Sequence, residues 1–539
     1  MVLLKRWVIS VEMTVLQDFS AGRMKKSIIF GLVLLCTYGA IAQEKVVDYF
    51  IKNATVYDGT GTPGTVMNVG ILGDKIYYVG TDSSIKAKNT IDAQGLVLSP
   101  GFIDPHTHAD RWLKTEGANY LYPWVAQGVT TVFVGSDGFG TYEIDKQFSV
   151  FEEKGMGANV GAFVGFGSVR TKVLGRDVVQ PDDEQIEAMK KLVDQGMREG
   201  ALGFSTGLLY VPQIWSKTPE IVELSKVAAR YGGIYDTHMR SESTNILNSV
   251  NEVITIGKEA KLPVHISHIK VSGPTNWGRS TEVIELIEKY RAEGGDITAN
   301  QYPFVASLTG LKNGLMPKWA LAGGNRKMLE RFDNPSDLKR IKAFLAKRTD
   351  EQNKRVIVSS MDKSMRYLNG KSLYDLCQQW EMPIEDAAIK LLRISPSISG
   401  MSFTMDEQDI INFSKQPWVM TGSDGGGFHP RTYSTFTQIL ENYSLAKEVF
   451  PLEWAIHRAT GMTARQFKLD RRGEIKEGYY ADIILFKPEE VKANSDFIHI
   501  DRLSEGMRYV FVNGVPVIKE KEFTNKLPGQ TIKKHNEKD

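Results

Sequence analysis

The sequence predicts an α/β chain: a (β/α)8 TIM-like barrel with a small β-sandwich domain formed from both ends of the mature chain. Three observations carry that expectation. Eight apolar, strand-like runs recur through the middle of the 539 residues, most of them separated by helix-like stretches such as EQIEAMKKLVDQGMREG and TPEIVELSKVAARYGG. Runs of β-branched and aromatic residues, punctuated by Gly, Asp and Asn, occupy both ends instead. Side chains able to ligate a metal stand at the C-terminal ends of five of the eight runs, where a barrel of this kind builds its active site.

Taken in order, Met24 to Gln43 reads MKKSIIFGLVLLCTYGAIAQ. Lys25 and Lys26 precede a short apolar core, and Ala40-Ile41-Ala42 fits a cleavage site, so residues 1–42 are expected to be an over-extended start plus a signal peptide. The expected product is exported, periplasmic or secreted. The apolar stretch is too short for a stable membrane span after processing; a retained N-terminal anchor is the alternative. Cys36 follows Leu35 rather than a small residue, which argues against a lipoprotein. Cys377 is then the only cysteine left, so no intrachain disulfide is available and stability rests on the core or on metal. Residues 43–98 and 470–539 share the strand-and-turn texture (VVDYFIKNATVYDGTG at one end, MRYVFVNGVPVIKE at the other) and form the small β domain. Residues 99–469 form the barrel, with a lid-like insertion at about 305–416 whose texture is partly helical. A net charge of +2 with no basic block gives nucleic acid nothing to bind.

The eight runs are GFIDPHTH, VTTVFVGSD, NVGAFVGFG, ALGFSTGL, GIYDTHMR, PVHISHIK, DITANQYPF and PWVMTGSDGG. His106 and His108 end the first; in an extended strand residues two apart share a face, ~6.5–7 Å apart, so both imidazoles can converge on one ion. Asp137 ends the second run, His238 the fifth, His268 the sixth, Tyr302 the seventh and Asp424 the eighth. A lone buried histidine is an ordinary core residue. Six groups of ligand type at matching ends of five strands instead point to one metal-binding mouth.

The motifs PGFIDPHTHAD, GALGFSTGLLYVP, THMRSES, HISHIK, QYPF and GSDGGGFHPR resemble the amidohydrolase superfamily, and within it the N-acyl-D-amino-acid deacylase (D-aminoacylase) family, along essentially the whole mature chain. The resemblance implies one or two divalent metal ions, zinc in kind. His106 and His108 with Asp424 resemble ligands of one metal, and His238 and His268 resemble ligands of the other. The family usually bridges its metals with a cysteine in a GNCG-like turn; here the turn reads GSDG, with Asp137 in that position. A carboxylate can bridge two ions but is harder than thiolate, which relaxes the preference for zinc. If Asp137 does not ligate, the site holds one metal.

Lys270, Tyr302, Ser307 and Arg431 match residues that hold the substrate's α-carboxylate in the family, a task suited to a guanidinium fork and an ammonium point charge. Metal-activated water would attack the amide carbonyl, and Asp424 would act as general base and then acid. Phe166 stands where the family often has histidine, and NQYPF where it often has DQYPY. The fourth run, FSTGL, lacks the lysine that related cyclic amidohydrolases use as a bridge. Arg240 and Glu242 either orient the metal site or form ordinary salt bridges. The expected substrate is a small anionic N-acyl amino acid, with D configuration implied by the resemblance. A dipeptidase or cyclic amide hydrolase on the same barrel is the alternative, and a non-catalytic binding protein with a relic site is the second.

Overall fold

The computed structural model describes residues 46–534. The segment read as an over-extended start and signal peptide lies outside the described residues. Five strands open the chain: β1 (Val47–Val56), β2 (Thr65–Leu72), β3 (Lys75–Gly80), β4 (Ala87–Asp92) and β5 (Val97–Pro100). Seven more follow, each a short apolar run: β6 (Phe102–Asp104), β7 (Val129–Val134), β8 (Asn159–Gly165), β9 (Gly203–Gly207), β10 (Ile234–His238), β11 (Val264–Ile266) and β12 (Ile297–Gln301). β13 (Ala306–Gly310), β14 (Val356–Val358) and β15 (Ser399–Phe403) belong to an excursion, after which β16 (Val419–Thr421) returns to the barrel. β17 (Ile483–Phe486), β18 (Met507–Val512), β19 (Val515–Lys519) and β20 (Glu522–Phe523) end the set.

β6 to β12 and β16 form a parallel eight-stranded sheet in the order β16-β12-β11-β10-β9-β8-β7-β6. Every residue of β7 and β8 is buried, as expected of strands covered on both faces, which is why they read as continuous apolar runs. Helices such as Asp183–Arg198, Thr218–Arg230 and Ile246–Ala260 separate them. The first starts at a capping box, Asp182 accepting from Gln185 N and Gln185 accepting from Asp182 N, so its sequence signal is local. Ile103, Phe133, Phe163 and Met420 pack against Phe467, which closes one end of the barrel interior. The sheet closes at its other end, where Thr107 bridges Gly425, His108 N donates to Gly425 O at 2.6 Å and Asp424 N donates to His106 O at 2.9 Å. The seam between first and last strand is thus made by residues of the predicted site.

The excursion has its own core, with Leu315, Phe332, Leu345, Leu376 and Leu391 packed under the antiparallel sheet β13-β15-β14. The helix Glu407–Ser414 leaves it: Asp409 accepts from Gly278 N and Ser280 N, which ties that helix to the start of the barrel helix Ser280–Ala292. The strands of both chain ends form one nine-stranded sheet, branched at β1, which pairs β4 along its first half and β5 along its second. β1 and β18 are three strands apart in that sheet, yet the rings of Tyr49 and Phe511 meet at 5.1 Å, so the sheet folds over itself as a sandwich. Ile51, Val69, Ile71, Leu485 and Phe511 fill the space between. The β domain and barrel share a core and form one compact unit from Val47 onward. No described helix is long and apolar enough to cross a membrane.

Candidate metal centre

β6 ends at Asp104, so His106 and His108 lie beyond the strand rather than in it. They still share a direction because Thr107, between them, pairs with Gly425 and keeps the backbone extended. Their rings stand 5.5 Å apart and nearly perpendicular. Asp104 is fully buried; Oδ1 accepts from Ser423 N at 2.9 Å and Oδ2 from Trp124 Nε1 at 3.2 Å, which ties the first strand end to the last. Asp137 sits in a tight turn after β7 between Gly135 and Gly138, both at positive φ. Ser205 and Gln213 hold this turn: Ser205 Oγ donates to Gly135 O at 2.5 Å, and Gln213 Nε2 donates to Asp137 O at 2.9 Å. Asp137, His268 and Asp424 all have left-handed backbone, with φ of 57°, 35° and 50°. Such strain persists in non-glycine residues where the surroundings impose it, characteristically at functional sites.

The six ligand-type groups converge. Asp137 carboxylate oxygens lie 3.4 Å from His106 Nε2, 3.5 Å from His108 Nε2, 3.8 Å from His238 Nδ1 and 3.5 Å from His268 Nε2. Asp424 lies 3.7, 3.2 and 3.9 Å from His106, His108 and His268. One ligand atom each from His106, Asp137, His268 and Asp424 falls within a 4.8 Å cluster. Both His106 nitrogens, Asp137 Oδ1 and His238 Nε2 are buried without a hydrogen-bond partner. Orphaned buried imidazole and carboxylate atoms facing one another are the donor set a divalent cation requires, so these residues fit one. The charge balance agrees. Burial opposes a charge on His108, yet Asp137 and Asp424 outweigh burial and push it up to about 10. Asp424 is opposed by burial in the same way and is held well below the usual carboxylate range, first by Arg431 and then by His268.

Glu242 and Arg240 part company. Arg240 forms a two-point pair with Glu252 at 2.8 and 2.9 Å. Glu242 Oε1 stands 3.1 Å from His268 Nδ1, and His268 Nε2 faces Asp137 at 3.5 Å. Lys270 Nζ lies 2.5 Å from the same carboxylate oxygen and 2.6 Å from His268 Nδ1. Arg431 Nη1 is 2.7 Å from Asp424 Oδ2, and its guanidinium lies 4.9 Å from the centre of the Tyr302 ring. Lys270, Tyr302 and Arg431 therefore gather beside the cluster, on the side of β11, β12 and β16. Ser307 stands in β13 opposite Ser402, between residues whose carbonyls accept from His429 and Arg431, but its hydroxyl makes no hydrogen bond to any of the three.

Three contributors escaped the sequence reading. Tyr210 packs on His238 at 4.9 Å, closing the cluster's flank. His429 Nδ1 accepts from Arg431 N at 3.0 Å, setting the start of the helix that carries the guanidinium. Asp236, buried beneath His238, is pushed up to about 8 by burial and then by Asp137. Tyr210 and His429 lie inside GALGFSTGLLYVP and GSDGGGFHPR, so position within a motif was the available signal; Asp236 carried none.

The chain is 32% identical to D-aminoacylase of Alcaligenes xylosoxydans xylosoxydans, over 90% of this chain and 97% of that one. It belongs to the D-aminoacylase family of amidohydrolases. The Amidohydrolase family model matches residues 414–518, which include Asp424 and Arg431. N-acyl-D-aspartate deacylase of the same organism is 30% identical over 90% of this chain and 95% of its own length. A solved D-aminoacylase superposes with a TM-score of 0.78 at 31% identity, covering 90% of this chain and all of that one; that enzyme is described with a binuclear metal centre. N-acyl-D-glutamate deacylase from Bordetella bronchiseptica, solved with zinc and a phosphonate mimic of the tetrahedral intermediate, superposes with a TM-score of 0.79 at 26% identity, covering 91% of this chain and all of its own. For this D-aminoacylase-family chain the similarity spans the β domain, the barrel and the excursion alike.

Proposed function

We propose that this chain hydrolyses N-acyl-D-amino acids, releasing the acyl group as a carboxylate and the D-amino acid with a free amine. The observation that carries the reading is the juxtaposition of a metal-type cluster of four imidazoles and two carboxylates with a Lys270–Tyr302–Arg431 clamp on one side of it. His106, His108, Asp137, His238, His268 and Asp424 would hold one or two divalent ions. A bound divalent ion supplies Lewis acidity toward the amide carbonyl and lowers the pKa of water to about 7. Arg431 and Lys270, with Tyr302 between them and Ser307 alongside, would bind the α-carboxylate and orient the scissile bond. Asp424, ionised beside Arg431 and next to the cluster, would take a proton from the attacking water and deliver it to the departing amine. Glu242 would keep His268 and Lys270 in register.

Zinc is the ion the relatives suggest, and the sulfur-free donor set leaves room for manganese or cobalt. The N-terminal sequence supports export to the periplasm or beyond. The test is a panel of N-acetyl-D-amino acids, their L-enantiomers, dipeptides and hydantoins, run on metal-loaded and chelated protein. Chelator-sensitive turnover of the D-acyl compounds is expected. Preferential turnover of dipeptides or hydantoins would instead assign the barrel to another C–N bond.

A further inference from the structure

Across the barrel from the clamp lies a cavity of about 420 Å³. In the strand order β16-β12-β11-β10-β9-β8-β7-β6, β8 stands opposite β12. The clamp draws on the ends of β11, β12 and β16, whereas the cavity is lined from the segments after β7, β8 and β9. Phe139 is the partition: its ring lies 6.2 Å from His108 and 5.1 Å from Tyr210, and it also lines the cavity. With the α-carboxylate held at one side and the amide at the cluster, an acyl group extends toward the opposite side, past Phe139.

The lining has a definite chemistry. Lys172 comes from the helix Phe166–Leu174 and Arg176 from the turn after it; Ser168, Thr171, Phe139 and Tyr142 also line the cavity. Among the described residues no Asp or Glu lines the cavity. Asp177 and Arg176 meet the excursion side by side, against Gly323 and Gly324, and of the two only Arg176 lines the cavity. Lys312, on the excursion, is outside the lining and donates to Asn325. Two cations lining one cavity, with no carboxylate in the lining, are stabilised by an anionic ligand.

Resting on the function proposed above, we propose that this cavity is an acyl subsite selecting acyl groups that end in a carboxylate, held by Lys172 and Arg176. The substrates are then half-amides of dicarboxylic acids. Water adds across the amide, hydroxyl to the acyl carbon and hydrogen to nitrogen, releasing a dicarboxylate and a D-amino acid. The test compares kcat/KM for the N-succinyl and N-succinamoyl derivatives of one D-amino acid, which differ only in terminal charge, with the N-acetyl derivative as control. The succinyl compound should be favoured about fivefold or more, the combined effect of two partly exposed charge pairs. Lys172→Ala with Arg176→Ala should bring the ratio to about one, and Lys172→Glu with Arg176→Glu should invert it. Turnover of the N-acetyl compound with a ratio of one in the unaltered protein, or a preference that survives the double alanine variant, overturns the subsite alone. No turnover of any of the three overturns the function on which it rests.

Discussion

At the scale of single residues, Asp137 and Arg431 have separable tasks. Among the described residues, Asp137 is the one carboxylate within 3.8 Å of all four imidazoles, so its removal takes away the centre of the donor set. Asp137→Ala should lose at least one equivalent of bound metal and about 100-fold or more in kcat, since even outer partners of a metal site are worth 10–100-fold. Metal analysis of the purified variant checks this; unchanged stoichiometry with unchanged activity removes Asp137 from the ligand set. Arg431 acts on the substrate through its charge. Arg431→Ala should raise KM for an N-acyl-D-amino acid by about 30–150-fold, the loss of a charge-assisted pair worth roughly 2–3 kcal/mol, and leave KM for the α-amide nearly unchanged. Because Arg431 also touches Asp424, kcat is expected to fall for both compounds, so the split in KM is the informative readout.

At the scale of elements, two seams hold the site in shape. Asp104 joins β6 to the segment after β16, accepting from the Ser423 backbone and hydroxyl and from the Trp124 indole. Asp104→Ala leaves those donors buried without a partner, at about 1–3 kcal/mol for each group left unsatisfied. Denaturant titration should show a loss of several kcal/mol, and metal affinity should fall with it because the same seam sets His106. The second seam joins the β domain to the barrel helix Leu452–Ala459: His457 Nδ1 lies 2.7 Å from Gly59 O, and Arg465 Nη2 lies 3.0 Å from His457 Nε2. This arrangement needs a neutral ring that donates to the carbonyl and accepts from the guanidinium. Burial pushes the His457 pKa below its ordinary value of 6.5. The unfolded chain therefore binds a proton more readily than the folded one in the window just below pH 6.5, so stability falls as pH drops through it. The midpoint of denaturation should show that slope in the unaltered protein and a shallower one in His457→Gln, whose amide keeps a donor; equal slopes would show that His457 does not carry the effect.

At the scale of the whole molecule, the barrel and most of its ligand-type groups were legible because strand ends recur at regular intervals and apolar runs mark doubly covered strands. What was not legible depends on contacts between distant segments. The branching of the terminal sheet rests on β1 pairing β4 and then β5, and the private core of the excursion on Phe332, Leu376 and Leu391 sharing one cluster. Neither pairing leaves a periodic mark. Likewise Asp236 and Tyr210 are ordinary letters until the fold sets them against His238 and Asp137. The same global closure makes the metal cluster a determinant of stability. Strands from five parts of the barrel each contribute a group to it, so unfolding disperses the donors. A ligand that binds only the folded state stabilises it by RT ln(1 + [L]/Kd), about 2.7 kcal/mol at a hundredfold excess over Kd. Dialysis against a chelator should therefore lower the thermal midpoint by several degrees, and restoring a divalent ion should recover it together with activity. Asp137→Ala should show a much smaller chelator effect than the unaltered protein. If chelation leaves the midpoint of the unaltered protein where it was, the cluster binds no metal tightly and its convergence serves the barrel seam alone.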